Sequence, residues 1–577
     1  MKSFIRSFFA SFLALVVLLL VVVGAFAIKS SQKEKIDDHS YLVIDMYGQV
    51  LEYAPPSDVM GQIMGGEPET LQRILSNLEK AQVDDRIDGV ILKLSMNNTA
   101  GYAMMQEVRG AIQKVRESGK KVYGFAGSMD RRAYMLAAAC DSIFMPQAAF
   151  VSMTGFAITS SHIKETLEKL GIKPNVHKIK DYKAAAEAVT RSDMSDAVRE
   201  NREWMLDEIW EMYIASLHAD RGLSEEKIVS LMEHALFTAE GALEHGLIDE
   251  ILYWDELEDR LKREKDDALR AVSQCRYADV EAGKLGLKGK KKIAVIHAQG
   301  TIAGRRNTVN PFFGIIMGHE SIADELERAR RDDDVAAVVF RIDSGGGESV
   351  ASDLIGHAVE LTAGEKPVVA SMVDVAGSGG YHIAYTATKI MANEMSVTGS
   401  IGSISGKFNI KGFHDKLGIT HDHVTKGPMG LIWSEYRDFT DEERARFEEN
   451  HWEDFDRWLQ DVAKRRGMTY EEAEKLAHGR VWSGRQAKDN GLIDEVGGLE
   501  EAIALAKELA EIPEDEKVSV VHYPQQKDLV EMIMSGEGDL SVLTRWALYR
   551  FIQDDLVATW NHLAQHPELV DDRFRIE

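Results

Sequence analysis

The chain matches itself. Tyr41-Leu-Val-Ile-Asp-Met-Tyr-Gly48 resembles Ile293-Ala-Val-Ile-His-Ala-Gln-Gly300, and Asp84-Asp-Arg-Ile-Asp-Gly-Val-Ile-Leu-Lys93 resembles Asp332-Asp-Asp-Val-Ala-Ala-Val-Val-Phe-Arg341. Phe237 followed by Gly246-Leu-Ile-Asp-Glu250 returns as Trp482 followed by Gly491-Leu-Ile-Asp-Glu495. The offset stays close to ~250 residues, far longer than a solenoid period, so each copy is a domain. Whatever architecture serves one half must serve the other, and the places where the copies differ become the informative ones.

Both copies alternate in the same way. Short β-rich runs such as Val90-Ile-Leu-Lys-Leu94, Lys121-Val-Tyr-Gly-Phe125, Ala337-Val-Val-Phe340 and Pro367-Val-Val-Ala370 are separated by helical patterns such as Ser352 to Leu361. Strand, helix, strand at this spacing predicts parallel βαβ units. Glu200 to Leu217 and Asp441 to Arg466 read as longer charged amphipathic helices at matching places. Glycine and lysine without apolar periodicity around Glu281 to Lys292 mark a linker. The expected layout is an N-terminal segment 1–28, a first repeat 29–283, a linker 284–292 and a second repeat 293–577.

The copies diverge in a complementary manner. Matching Tyr381-His-Ile-Ala384 to Tyr134-Met-Leu-Ala137 sets Ser378, in Ala376-Gly377-Ser378-Gly379-Gly380, opposite Arg131. It also sets Lys183, in Asp181-Tyr-Lys-Ala-Ala-Ala186, opposite Gly430. The loop Asp343-Ser-Gly-Gly-Gly-Glu348 falls opposite Ser95-Met-Asn-Asn-Thr-Ala100. The first copy therefore lacks the glycine loops and the serine, and the second lacks the lysine. Drift in unimportant loops explains each loss singly but not their complementarity, which points to one serine–lysine site assembled from both copies.

The chemistry supports that assembly. A serine between a strand and a helix-like run, Tyr381 to Ile390, presents its hydroxyl near free backbone N–H groups and the positive helix end. Such groups stabilise a tetrahedral oxyanion. Ser344-Gly-Gly-Gly347 also follows a strand, so it lies at the same sheet edge, where α/β folds bind ligands. A lysine acts as base only when deprotonated, which requires desolvation or a suitable neighbour. The Ala184-Ala-Ala186 run beside Lys183 is compatible with burial, although an ordinary lysine is a solvated surface residue. Ser400, in Thr398-Gly-Ser-Ile-Gly402, is placed to hydrogen-bond the lysine; its ordinary role is turn formation.

Composition excludes other classes. With 68 Lys and Arg against 94 Asp and Glu, the net charge is −26, which argues against the concentrated basic face of a nucleic-acid binder. The 2 cysteines, Cys140 and Cys275, form no disulfide framework. No P-loop or HExxH motif occurs, and no metal or nucleotide cofactor is expected. Phe8 to Ile28 carries no charge and follows Lys2 and Arg6. It is longer than the usual h-region of a signal peptide and close to the ~20 residues of a spanning helix. An uncleaved anchor is expected, with a cleaved signal ending at Ala25-Phe-Ala27 as its alternative.

The anchor, the duplication, Lys183 in Asp-Tyr-Lys-Ala, Ser378 in Ser-Gly-Gly-Tyr and the Thr-Gly-Ser-Ile-Gly loop together resemble the S49 serine protease family, in its long signal peptide peptidase A form. The resemblance spans essentially the whole chain. It implies tandem Clp-protease/crotonase-like α/β domains and a serine–lysine dyad with Ser378 as nucleophile and Lys183 as base. Gly379 and Gly347 become the oxyanion N–H donors and Ser400 the partner of the lysine. It also implies a homotetramer tethered to the cytoplasmic membrane, its body facing the periplasm, with cleaved signal peptides and other membrane-associated peptides as substrates. One departure stands out: Gly345 replaces the proline usual in the family's Ser-Pro-Gly-Gly loop, which loosens that loop.

The rival readings are distinguishable. An α/β-hydrolase wants Gly-x-Ser-x-Gly, and Ala376 occupies the first glycine place. A Ser378–His382 pair at i, i+4 lacks an assigned acidic orienter. A crotonase-like CoA enzyme needs neither the anchor nor Lys183. A decayed membrane scaffold of the same fold finds its support in Gly345 alone.

Overall fold

A computed structural model describes residues 36–54, 69–264, 266–310 and 314–525. The Phe8 to Ile28 run lies outside them; among the described residues no helix is long and apolar enough to cross a membrane.

The first repeat builds a six-stranded sheet in the order Glu250–Ile251, Ser142–Met145, Lys121–Ala126, Ile87–Leu94, Ser40–Met46, Ala271–Ser273. Every neighbouring pair in it is parallel. The second repeat repeats the pattern: Glu495–Val496, Lys389–Ala392, Val368–Gly377, Val335–Ser344, Lys292–Gln299 and Ser519–Tyr523 are joined in parallel. Each copy adds a small flap. In the first, Met129–Asp130 pairs with Phe150–Ser152, which pairs with Leu236–Thr238. In the second, the end of Val368–Gly377 pairs with Val397–Gly399, which pairs with Val481–Ser483. The fold is thus α/β, and its main parallel sheet is duplicated strand for strand.

The sequence dictates this locally. Val335–Ser344 is buried along nearly its whole length, as expected of a central parallel strand covered on both faces. Its Val338, Val339, Phe340 and Ile342 are fully buried, each burial contributing roughly 1.5–3 kcal/mol. The two long helices run Asp196–Arg221 and Asp441–Arg466. Ser195 caps the first and a Thr440–Glu443 capping box starts the second; left-handed Gly222 and Gly467 end them. Between the repeats, Ala282–Leu285 forms a 3-10 turn, and Lys292 opens the first strand of the second sheet. The helix expected over Tyr381 to Ile390 stops at Ala384, and Lys389–Ala392 is already a strand. That turn of helix only carries the chain across the sheet edge.

Among the contacts that join the copies, three seams bear on the site. Lys173–Lys178 of the first pairs antiparallel with Ile404–Asn409 of the second. Asp374, near the end of its strand, accepts hydrogen bonds from Gly101 N (3.0 Å), Ala103 N (3.0 Å) and Met104 N (3.2 Å), the free amides that open the helix Tyr102–Glu117. Arg341, fully buried, donates Nε–H to Glu52 (2.9 Å), one Nη to Ser371 (2.8 Å) and the other to Glu107 (2.5 Å). Glu107 also accepts from Asn393 and from the Leu499 amide, so one buried ionic knot ties together strands and helices of both repeats.

Candidate active site

Ser378 stands between the strand Val368–Gly377 and the helix Gly379–Ala384 with φ 57° and ψ −118°. A non-glycine residue held at positive φ carries strain that the surroundings must impose. The neighbouring flap imposes it. Gly377 lies in register with Gly399, and Ser378 N donates to Gly399 O at 2.9 Å. That amide is therefore engaged, and any oxyanion donors must come from elsewhere.

Two other amides converge beside the serine. A Cβ on Gly379 would sit 3.0 Å from Gly347 N, and a Cβ on Gly346 would sit 2.6 Å from Gly379 N and 2.9 Å from the Ser378 Cβ. Gly346 has φ +98°, so its backbone and its neighbours both demand glycine. Gly379 N belongs to the first helical residue, where no intrahelical acceptor exists. Neither Gly379 N nor Gly347 N has a backbone acceptor among the described residues. The loop is fixed from behind: Ser344 Oγ donates to Gly300 O (2.6 Å) and accepts from Gly346 N (3.1 Å), while Ile302 N donates to Gly346 O (3.0 Å). The glycine at 345 meets nothing within 4 Å at its Cβ position, so the missing proline leaves no packing defect.

Lys183 arrives from the first repeat. The strand Lys173–Lys178, docked on Ile404–Asn409, leads directly to it, and Ile179 N donates to Ser403 O at 3.0 Å. Tyr182 N donates to His478 O at 3.1 Å, and Gly479, at φ +87°, lies flat against the lysine backbone; a Cβ there would be 2.6 Å from Lys183 N. The side chain is 6% exposed. Nζ donates to Ser400 O (2.8 Å) and Ser400 Oγ (3.0 Å). Burial pushes the Lys183 ammonium down to about 7, with no carboxylate to hold it charged.

Ser400 is the hub. Its φ is 50°, its N–H donates to Arg480 O (2.7 Å), and its Cβ lies 3.4 Å from where a Gly377 Cβ would be. Among the described residues no hydrogen bond joins Lys183 Nζ directly to Ser378 Oγ. A neutral lysine has two N–H donors and one lone pair. Ser400 takes both donors, which leaves the lone pair as the remaining direction for a proton.

His382 points elsewhere. It stacks on Trp458 (4.9 Å between centroids) and approaches Asp353 at 3.8 Å, so an acidic neighbour exists, but no side-chain hydrogen bond links it to Ser378 among the described residues. Sequence reasoning missed Gly479 and Arg480. Arg480 supplies the carbonyl under Ser400, and its guanidinium lies over the rings of Tyr182, Trp204 and Trp482. Their only sequence signal is proximity to the repeated Trp482 motif.

Fold and site together define a class: a duplicated α/β protein with a strained, glycine-walled serine in one copy and a buried, proton-poor lysine supplied by the other. The comparisons name it. The model of peptidase family S49 matches residues 114–267 and again 360–513, so the chain belongs to peptidase family S49 and is a serine peptidase of that family. It is 33% identical over 496 residues to "Serine protease SPPA, chloroplastic" of Arabidopsis thaliana, covering 85% of this chain and 73% of that one. It is 28% identical over 544 residues to "Protease 4" of Salmonella typhi, covering 90% and 86%. "Putative signal peptide peptidase SppA" of Enterococcus faecium matches 220 residues at 31%, covering 38% of this chain and 64% of that one. Among solved structures, a ClpP1 variant of Listeria monocytogenes aligns at 16% identity and a TM-score of 0.24, covering 36% of this chain and 94% of that one.

Proposed function

We propose that the chain is a membrane-anchored endopeptidase in which Ser378 and Lys183 form one catalytic dyad. The observation that carries the reading is Lys183: buried, free of any carboxylate, titrating near neutrality, and held by Ser400 beside the backbone of Ser378. Neutral Lys183 removes the proton from Ser378 Oγ as the oxygen attacks the scissile carbonyl carbon. The carbonyl oxygen becomes an oxyanion, held by the N–H groups of Gly379 and Gly347. The lysine then returns the proton to the departing amine, and water hydrolyses the acyl-enzyme by the same steps. Ser400 orients Nζ throughout. No cofactor enters the reaction.

The substrates we infer are cleaved signal peptides and other membrane-associated peptides. Names borne by two relatives support the peptide class. Phe8 to Ile28 is proposed as a single-pass anchor in the cytoplasmic membrane, the body facing the periplasm as a homotetramer. Hydrolysis of an apolar fluorogenic peptide tests the dyad. Ser378→Ala and Lys183→Ala are each expected to abolish turnover without changing the thermal midpoint by more than a few degrees. The double variant is expected to be little worse than either, because the pair acts as a unit. Substantial activity in Lys183→Ala would remove lysine as the base and return His382 to consideration.

A further inference from the structure

The first repeat keeps something at the place its serine would occupy. Met129 pairs with Val151 and Asp130 with Ser152, as Ala376 pairs with Thr398 and Gly377 with Gly399. Arg131 therefore follows its flap as Ser378 follows the other. Its guanidinium is held by neutral groups: Nε–H donates to Tyr102 Oη (3.3 Å) and Nη1 to Thr154 Oγ1 (3.2 Å). It lies 4.5 Å from the centre of the Phe156 ring, which meets Tyr102 (6.1 Å), Trp210 (6.2 Å) and Tyr213 (5.3 Å).

No carboxylate lies within ion-pair distance of Arg131 among the described residues; the adjacent Asp130 pairs with Arg132 and caps its own helix through Ala133 N. Other partly buried arginines of this chain do find acids: Arg109 with Asp220, Arg221 with Asp249, Arg466 with Asp494. A guanidinium has five donors in a planar fork that matches a carboxylate. Here two donors fix the plane, an aromatic ring supports one face, and three donors remain. The site is also tied to the serine's strand. Tyr102 opens the helix whose first amides are gripped by Asp374, four residues before Ser378 on the same strand.

We propose that Arg131, Tyr102 and Thr154 form a carboxylate-binding site that takes the free C-terminus of an apolar peptide, with Phe156 and Trp210 flooring the residue before it. The inference rests on the peptide-substrate reading above and adds to it a recognition element in the catalytically vacant repeat. The aromatic floor favours the terminus of an apolar chain over a small free anion.

The test uses the full chain with Ser378→Ala, so that binding is read without turnover. A short alanine–leucine peptide with a free C-terminus is titrated calorimetrically against its C-terminal amide, with sodium acetate as the small-anion control. The acid is expected to bind about 10–100-fold more tightly than the amide, the range of a charge-assisted hydrogen-bonded pair. Arg131→Gln is expected to erase that ratio while leaving amide affinity and thermal midpoint in place, and Arg131→Lys to restore part of it. Equal binding of acid and amide, no binding of either, acetate matching the peptide, or a preference that survives Arg131→Gln would each overturn the site. Should Arg131→Gln not fold, the acid-to-amide ratio of the parent decides. Failure of hydrolysis in the unmodified chain would sink the dyad without touching this ratio.

Discussion

At the residue scale, burial lowers the Lys183 ammonium to about 7, so the neutral amine is well populated near neutral pH. Only the neutral amine accepts a proton, so kcat/KM is expected to rise with pH through an apparent pKa near 7, well below the ordinary lysine range. Asp343, pushed up to about 7 by burial and by nearby Asp374, also titrates in this range, as does Asp374 itself at about 6. Asp343→Asn should leave the rise in place if the lysine causes it. The same burial has a stability consequence. The folded value lies below the unfolded one, so the unfolded chain binds the extra proton between roughly pH 7 and 10.5 and stability rises with pH across that window. Lys183→Met should therefore raise the thermal midpoint at pH 6, and the gain should shrink as pH approaches 10.5. A gain independent of pH would contradict this account. Ser378 and Lys183 stood out in sequence because duplication supplied a control copy, and Ser400 through its Thr-Gly-Ser-Ile-Gly loop; the structure brings Lys183 Nζ and Ser400 into hydrogen-bond contact. Gly479 did not stand out, since its need for glycine comes from a backbone distant in sequence.

At the element scale, the decisive feature is the strand pair Lys173–Lys178 with Ile404–Asn409, which carries the lysine to the serine's repeat. A chain of hydrogen bonds reinforces it: His177 Nδ1 with His451 Nδ1 (2.8 Å), and His451 Nε2 with Ser403 Oγ (2.8 Å). Ser405→Pro, opposite His177 at a hydrogen-bonded position of the register (two residues from Ile179 N, which donates to Ser403 O), removes a ladder N–H and forces the pair apart. Loss of at least 10-fold in kcat/KM with intact far-UV circular dichroism is expected; unchanged activity would mean that the strand does not position Lys183. Parallel strands and the long helices were readable from β-rich runs and charged amphipathic patterns, such as Asp441 to Arg466. The exchanged strand was not. Lys-Pro-Asn-Val-His-Lys has no marked alternation, and pairing across the repeats leaves no local trace.

At the scale of the whole molecule, the repeats are joined so that neither completes the site alone. Arg341 stands where the first copy has Lys93 and holds Glu52 and Glu107 in the buried seam. Arg341→Met would leave two buried carboxylates without their cation and should cost about 3–5 kcal/mol, measured by denaturant unfolding. A change below ~1 kcal/mol would show that the seam tolerates the loss. Deleting Met1 to Ile28, the proposed anchor, should leave an active body, because Lys183 and Ser378 both lie well beyond it. The duplication and the complementary loss of residues were plain in sequence; the ionic knot was hidden, because its members read as ordinary charged positions. The central claim is that a lysine of one repeat activates the serine of the other. It is tested most directly by the rate at which a fluorophosphonate labels Ser378 as pH is raised, in the parent chain and in Lys183→Met. The account predicts labelling at Ser378 alone, with a rate that climbs through about pH 7 in the parent and falls at least 100-fold in Lys183→Met. Equal labelling rates in the two proteins, or labelling of a different residue, would contradict it.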